Sequence, residues 1–427
     1  MKRLDLAGVG IGPFNLSLAA LADPVAGLDT LFFERDEDFR WHPGLMIEGA
    51  ALQVPFLADL VSLVEPAHPL SFLSYLRDLG RLFPFYFAER FHIPRAEYED
   101  YCAWAVRRLA PRCRFGHDVR AIRWSTKDEM FELDVEPVGT VSASNVVLGV
   151  GTEPVLPEPL EHLAGTKILH SADYLPARER LVDAEDVTVV GSGQSGAEVF
   201  LDLLRARPRG HGTLRWLTRT QAFAPMEYSK LGLEQFTPDY VRFFHGLDEP
   251  TRDRLVPAQW QLYKAISADT IAEIHDELYE RTVGGGWPAV ELAPGVEVTA
   301  AAERAGRIGL ELRHVQQDRK ATVTTDAVVC ATGYRERNLD ELLAPLAERI
   351  ERDAAGRVAV DADYRVRLAT GGSLFVQNAE RHTHGVGAPD LGLAAWRSAR
   401  ILNTVCGRQV YPLPDRTAFT TFGLEGT

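Results

Sequence analysis

Two short glycine-rich runs carry the chemistry most readily read from this chain. Gly8-Val9-Gly10-Ile11-Gly12-Pro13 follows the largely apolar run Leu4-Asp5-Leu6-Ala7, and Gly191-Ser192-Gly193-Gln194-Ser195-Gly196 follows Val187-Thr188-Val189-Val190. Each stands where a strand ends and a helix-like segment begins. Glycines let the backbone turn tightly and approach a pyrophosphate, and the helix N-terminus beyond offers amide N–H groups and the positive end of its dipole. Two such turns suggest two dinucleotides bound at once, one holding electrons and one delivering them. Glycines also end strands where no ligand binds, so the end of the following strand is the next thing to read.

After the first turn comes Leu31-Phe32-Phe33-Glu34, an apolar strand closing on an acid. An acid there hydrogen-bonds the ribose hydroxyls of an adenosine; the plain alternative for Glu34 is a solvated strand end. After the second turn, Leu214-Arg215-Trp216-Leu217 runs into Thr218-Arg219-Thr220 with no acid. Arg219 and the flanking hydroxyls suit a 2′-phosphate, which an acid would repel. The first site therefore reads as FAD and the second as NADPH.

The elements around these turns suggest an α/β fold: two Rossmann-like dinucleotide-binding domains, for FAD and NADPH, with a smaller, mostly helical substrate domain. Residues 1–165 form the first part of the FAD domain and 166–225 the first part of the NADPH domain. Residues 226–283 have helical spacing and no strand periodicity. Gly284-Gly285-Gly286 breaks that stretch. Residues 284–325 return to the NADPH domain and 326–427 to the FAD domain, ending in a helix over Leu391 to Asn403.

Composition agrees. A chain of 427 residues suits two or three domains. A net charge of −14 without a basic block disfavours nucleic acid as a partner. The first strand begins at Leu4, leaving no room for a signal peptide, and no apolar run is long enough to span a membrane. Cys102, Cys113, Cys330 and Cys406 form no Cys-x-x-Cys pair, which argues against a dithiol reductase and points to a reducing cytoplasm. His382-Thr383-His384 has no third ligand in sight, so no metal is expected.

Several motifs, in order, resemble one family: Gly8 to Leu16 with Pro13 and Asn15, Trp41-His42-Pro43-Gly44, Leu52 to Leu60, Ser71 to Leu76, Val190 to Gly196, Ala331-Thr332-Gly333-Tyr334, and His384-Gly385 with Trp396 to Ala399. Together they resemble the microbial N-hydroxylating flavin monooxygenases of siderophore biosynthesis, which act on lysine N6, ornithine N5 or a diamine. Cys330 departs from the Leu or Phe usual before Ala-Thr-Gly-Tyr. The resemblance implies that NADPH reduces FAD, that reduced flavin takes up O2 as a C4a-hydroperoxide, and that a neutral amine attacks its distal oxygen. The flavin does that chemistry while the protein positions the reactants and excludes water.

The resemblance also implies site residues. Gln53 lies beside the flavin ring, with Trp41 and His42 in the same flavin-facing stretch; Gln53 and His42 are the catalytic candidates. Gly8, Gly10, Gly12, Pro13, Asn15 and Glu34 fall to FAD; Gly191, Gly193, Gln194, Ser195 and Arg219 to NADPH; Thr332, Gly333 and Tyr334 to the cofactors generally. The amino-acid hydroxylases read Phe-Leu-Lys-Asp-Leu where this chain reads Phe56-Leu57-Ala58-Asp59-Leu60. That lysine helps hold a substrate carboxylate, so Ala58 favours a substrate without one: a diamine, cadaverine before putrescine. Lys230 is the candidate replacement cation if the substrate is L-lysine, the alternative. Glu227 or Asp390 is the candidate acceptor for a second ammonium, and Glu227 to Leu233 the specificity segment. Rival functions are an NADPH oxidase without N-hydroxylation and a non-catalytic flavin sensor; the complete second turn speaks against the sensor. A Baeyer–Villiger enzyme lacks its histidine–tryptophan linker motif here. The family suggests a homo-oligomer, dimer or tetramer.

Overall fold

The structure, a computed structural model, describes residues 3–424. Its first sheet has seven strands. Across it run Cys113–Arg114, Thr30–Phe33, Arg3–Val9, Gly139–Leu148, Met130–Glu136 and Asp118–Ser125, and Ser373–Val376 also pairs with Gly139–Leu148. The pleat explains the apolar runs. Phe32, Val147 and Phe375 face one core, while Phe33, Val146, Leu148, Leu374 and Val376 face the other, so a strand covered on both sides has no polar alternation. The helix Pro13–Ala22 leaves the first glycine turn with proline at its start, and all ten of its residues are buried. It packs against the C-terminal helix Ala394–Val405.

A second sheet is wholly parallel, in the order Val290–Pro294, Thr213–Thr218, Asp186–Val190, Ala327–Cys330, Ile168–His170. The helix Gln194–Ala206 leaves its glycine turn and buries Ala197, Val199, Phe200, Leu203 and Leu204. Beside it, Val296–Arg304, Arg307–His314 and Arg319–Thr325 form an antiparallel three-stranded sheet. One expected boundary moves. Ala327–Cys330, assigned to the return into the first domain, lies between two strands of the second sheet. A four-residue apolar run fits either sheet; its parallel register with Val187–Val190 decides. The chain crosses back afterwards, where Tyr334–Glu336 pairs antiparallel with Thr152–Pro154.

The segment after residue 226 is helical only in part. Helices Pro238–His245, Glu249–Ala258 and Ala268–Glu280 start at Thr237, Asp248 and Ser267, whose side chains accept from the backbone of Tyr240, Thr251 and Thr270. Residues 226–232, expected to be helical, form an irregular loop before the short turn Leu233–Phe236. Two backbone bonds hold that loop out of helix: Met226 N–H to Ile266 O at 2.7 Å and Glu227 N–H to Gln261 O at 3.0 Å. Among the described residues no helix is long and apolar enough to cross a membrane.

Three parts of the chain meet at one ion pair. Arg95, at the start of helix Arg95–Arg108, makes two bonds of 2.8 and 3.0 Å to Glu198 of helix Gln194–Ala206. Their side chains are only 14% and 6% exposed. Gln194 donates to Glu198 and to Thr270 Oγ1, both at 2.9 Å, and its Oε1 accepts from Ser267 N–H at 2.8 Å. Breaking a buried pair strands a charge at about 3–5 kcal/mol, whereas an exposed pair is worth about 0–1 kcal/mol. Arg95→Met should therefore lower unfolding free energy by at least about 3 kcal/mol. Arg205→Met, which breaks the half-exposed pair to Glu273, should cost under about 1 kcal/mol in the same denaturant titration.

Candidate active site

Both glycine turns open into one cavity of about 2410 Å³. A pocket for one small ligand is about 300–1,000 Å³, so this one has room for several. Gly10 has φ +86, and a Cβ there would stand 2.4 Å from the carbonyl oxygen of Gly149. Only glycine fits, and the reason is the neighbouring loop. Gly12 differs: it lines the cavity, and a Cβ added to it would meet nothing within 4 Å. The helix behind it has no side-chain cap, which leaves first-turn N–H groups for a ligand. At the second turn Gly191 has φ +143, and a Cβ would meet Ala331 O at 2.1 Å. Gly193 and Ser195 line the cavity beneath another uncapped helix start.

Several of the residues expected at the ligands also make bonds within the protein, and of these Gln194, Thr332 and Gly333 line the cavity. Gly8 lies in its strand, where a Cβ would sit 2.0 Å from the Phe32 ring; it is a packing glycine. Asn15 is fully buried. Its Nδ2 donates to Val9 O and Gly10 O at 3.0 and 2.8 Å, and its Oδ1 accepts from Gln377 Nε2 at 2.8 Å. It therefore clamps the first turn rather than touching a ligand. The Gln194 side chain is spent in the three-way junction described above. Thr332 donates its hydroxyl to Val155 O, and Gly333 O bonds the His170 ring nitrogen at 3.0 Å. Glu34 stays on the cavity wall, where its Oε2 accepts from Ile11 N–H at 2.8 Å.

The loop after Phe39 forms another wall. His42 takes a left-handed backbone, φ 52 and ψ 51, uncommon outside glycine. Its ring packs edge-on to Trp41 at 5.2 Å and to Tyr334 at 5.6 Å. His42 is exposed to the cavity; the desolvation it meets there, then the Arg95 guanidinium, shift it below the ordinary histidine range. Gln53 lines the cavity, and its Oε1 accepts a 2.6 Å bond from the Tyr228 hydroxyl. Tyr228 belongs to a motif read in the sequence, but nothing in sequence spacing links it to Gln53.

Arg219 reaches the cavity wall, and it has company. Lys264 and Arg381 also line the cavity, and Lys264 is lowered by burial and then by the charges of Arg381 and Arg219. Three cations within electrostatic reach of one another could hold an anion there. Lys264 escaped the sequence reading because it lies far from the second turn in sequence. A Cβ on Gly193 would lie 3.0 Å from its carbonyl.

Of the proposed substrate residues, Ala58 and Asp390 come together. A Cβ on Gly392, between them, would stand 2.7 Å from Asp390 Oδ1 and 3.9 Å from the Ala58 methyl. Asp390 Oδ1 accepts from Gly392 N–H at 2.7 Å, and among the described residues no cation pairs with it. Burial pushes its carboxyl up to about 6, against the pull of the Gly392 amide and of Arg397. Glu227 is exposed and turns back to accept from Ser229 N–H at 2.5 Å. It does not line the cavity, so the structure removes it as ammonium acceptor. Lys230 and Leu233 line the cavity, and Lys230 is exposed.

Comparison with known proteins agrees with this geometry. Residues 2–336 match the model of the L-lysine 6-monooxygenase/L-ornithine 5-monooxygenase family. This chain belongs to that family. It is an N-hydroxylating monooxygenase of the siderophore-biosynthesis type. It is 44% identical to the rhizobactin siderophore biosynthesis protein RhbE of Rhizobium meliloti, over 100% of this chain and 96% of that protein. It is 38% identical to a putrescine N-hydroxylase of Shewanella oneidensis, over 98% and 84% of the two chains. The crystal structure of DfoA, the FAD-bound cadaverine monooxygenase of the desferrioxamine pathway in Erwinia amylovora, superposes with a TM-score of 0.95 at 36% identity, covering 100% of both chains.

The half-buried carboxyl of Asp390 sets a pH test. A raised folded-state pKa means that the folded protein holds the proton more tightly than the unfolded chain, whose aspartate titrates near 3.9. Its contribution is full below that value and is lost as pH rises through about 6. Without amine, Asp390→Asn should therefore melt higher relative to wild type at pH 7.5 than at pH 4. Parallel melting curves at the two pH values would refute the half-buried, unpaired carboxylate.

Proposed function

We propose that this enzyme hydroxylates one primary amine of a diamine, with cadaverine preferred to putrescine, for hydroxamate siderophore biosynthesis. The balance is R–NH2 + O2 + NADPH + H+ giving R–NHOH + NADP+ + H2O. The observation that carries the reading is the pairing of Ala58 with Asp390: where the amino-acid hydroxylases place a lysine, this wall offers a methyl group beside an unpaired carboxylate. Such an end suits a second ammonium and disfavours a carboxylate. The likenesses to a putrescine enzyme and a cadaverine enzyme are close to equal in identity, 38% and 36%; they support a diamine more than they separate the two.

FAD belongs at the first turn and NADPH at the second. Gly10, Gly12, Pro13 and Glu34 form the FAD cradle, and Trp41, His42 and Gln53 face its ring. Gly191, Gly193 and Ser195 receive the nicotinamide dinucleotide, and Arg219 with Lys264 its 2′-phosphate. When bound, the flavin supplies oxygen transfer, fed by NADPH. The chain's own work is to hold the distal ammonium at Asp390, keep His42 uncharged beside the ring, and present the Gln53 amide. The reaction takes place in the cytoplasm, in a homo-oligomer. L-lysine N6-hydroxylation is the second reading, and the exposed Lys230 at the cavity wall is what favours it.

The experiment is hydroxylamine formation with NADPH from cadaverine, putrescine, lysine and ornithine. Cadaverine should exceed lysine in kcat/KM by at least about tenfold, since a buried carboxylate left unpaired costs on the order of 1–3 kcal/mol. Ala58→Lys should shrink that ratio, by occupying Asp390 and by pairing with the lysine carboxylate. A wild-type preference for lysine would replace the diamine reading with the second one. The cradle has its own test. Gly12→Ala meets no protein atom, so the apoprotein should lose no more than the ~1 kcal/mol of a poorer helix cap. It should nonetheless purify with little flavin, as visible absorbance reports. A fully yellow variant would move the pyrophosphate away from Gly12.

A further inference from the structure

Gln53 and Tyr228 come from different parts of the chain and meet at the cavity wall. The Tyr228 hydroxyl donates to Gln53 Oε1 at 2.6 Å and stands 3.4 Å from the Gln53 carbonyl oxygen. Among the described residues this is the bond that holds the Gln53 amide. With its oxygen taken in this way, the amide has its two N–H donors left, and Gln53 lines the cavity. Tyr228 is itself well fixed. Its loop is pinned by the Met226 and Glu227 amides to Ile266 O and Gln261 O, and its ring stands 6.4 Å from that of His92. Burial, then the carboxylates of Asp269 and Asp390, push its hydroxyl up to about 12, so it stays a donor across the working pH range.

We infer that Tyr228 is a positioning residue that fixes which end of the Gln53 amide faces the flavin. This rests on the reading of Gln53 as a flavin-facing residue. A primary amide has two nearly isosteric ends, one donating and one accepting. Beside the oxygen-transferring flavin they are opposites: the donating end stabilises developing negative charge on oxygen and the accepting end repels it. In the observed bond the hydroxyl gives its proton to Oε1, and that arrangement leaves the donating end of the amide free. Without it the amide rotates, and reducing equivalents leak: NADPH + H+ + O2 gives NADP+ + H2O2 with no amine oxidised.

The test compares wild type, Tyr228→Phe, Gln53→Ala and the double variant as FAD-loaded enzymes. Two quantities are read: hydroxylamine formed per NADPH with cadaverine, and hydrogen peroxide released without any amine. Tyr228→Phe should lower the first and raise the second by roughly threefold to tenfold, the range of one hydrogen bond. Its anaerobic flavin reduction by NADPH should fall far less than its coupling. The double variant should match Gln53→Ala alone, because Tyr228 acts through Gln53. A Tyr228→Phe enzyme with wild-type coupling and wild-type peroxide release overturns the inference. So does a double variant clearly worse than Gln53→Ala, which would make Tyr228 an independent part of the wall. The peroxide readout needs no hydroxylation. A wild type that makes no hydroxylamine from any amine therefore defeats the proposed function while this comparison still decides the role of Tyr228.

Discussion

The Arg95–Glu198 ion pair, nearly dry, is the joint on which the site depends. A buried pair gives little net stability once its desolvation is counted; what it gives here is register. Arg95 N–H bonds Ala50 O, so the arginine is tied directly to the loop that carries His42 and Gln53. Glu198 lies one helical turn beyond Gln194 and shares a bond with it. Gln194 in turn holds Ser267 and Thr270 of the helical segment. One charge pair thus fixes the loop of His42 and Gln53, the second glycine turn and the helical wall relative to one another. The same guanidinium adds to the downward shift of His42. A lone charge at either position would have to be hydrated, and water would enter the cavity that oxygen transfer needs dry.

The turns and the sheets were legible because they obey local rules. A β-branched run, a glycine turn and a helix start are written in consecutive residues, and parallel strands buried on both faces read as apolar runs. Side-chain roles were less legible because their partners are remote. Asn15 looked like a ligand contact and is a clamp, since its partner Gln377 lies 362 positions away. Gln194 sits where a nucleotide contact was expected and is claimed by a helix cap. Polar side chains at tight turns serve the backbone first, because a buried amide left unsatisfied is expensive.

The substrate end shows the same division. Glu227 and Asp390 were equivalent as letters, each an acid that could take a second ammonium. Their surroundings separate them: Glu227 satisfies its own loop in solvent, while Asp390 is half-buried and, among the described residues, forms no ion pair. A carboxylate in that state is a site waiting for a positive charge. Reading Ala58 as a missing lysine was possible from the sequence. That the missing cation leaves an acid unpaired required the fold, because Gly392 brings the two together only in space.

Charge also sorts the ligands of a single open cavity. Lys264 is lowered by burial and then by the charges of Arg381 and Arg219, whereas Asp390 is raised by burial against the pull of the Gly392 amide and of Arg397; the two walls carry opposite charge. Two nucleotides rich in phosphate and, on the proposed diamine reading, one small dication would find different ends of the same space. Fields over such walls fade within about 8 Å at physiological salt, so sorting happens inside the cavity and not at long range.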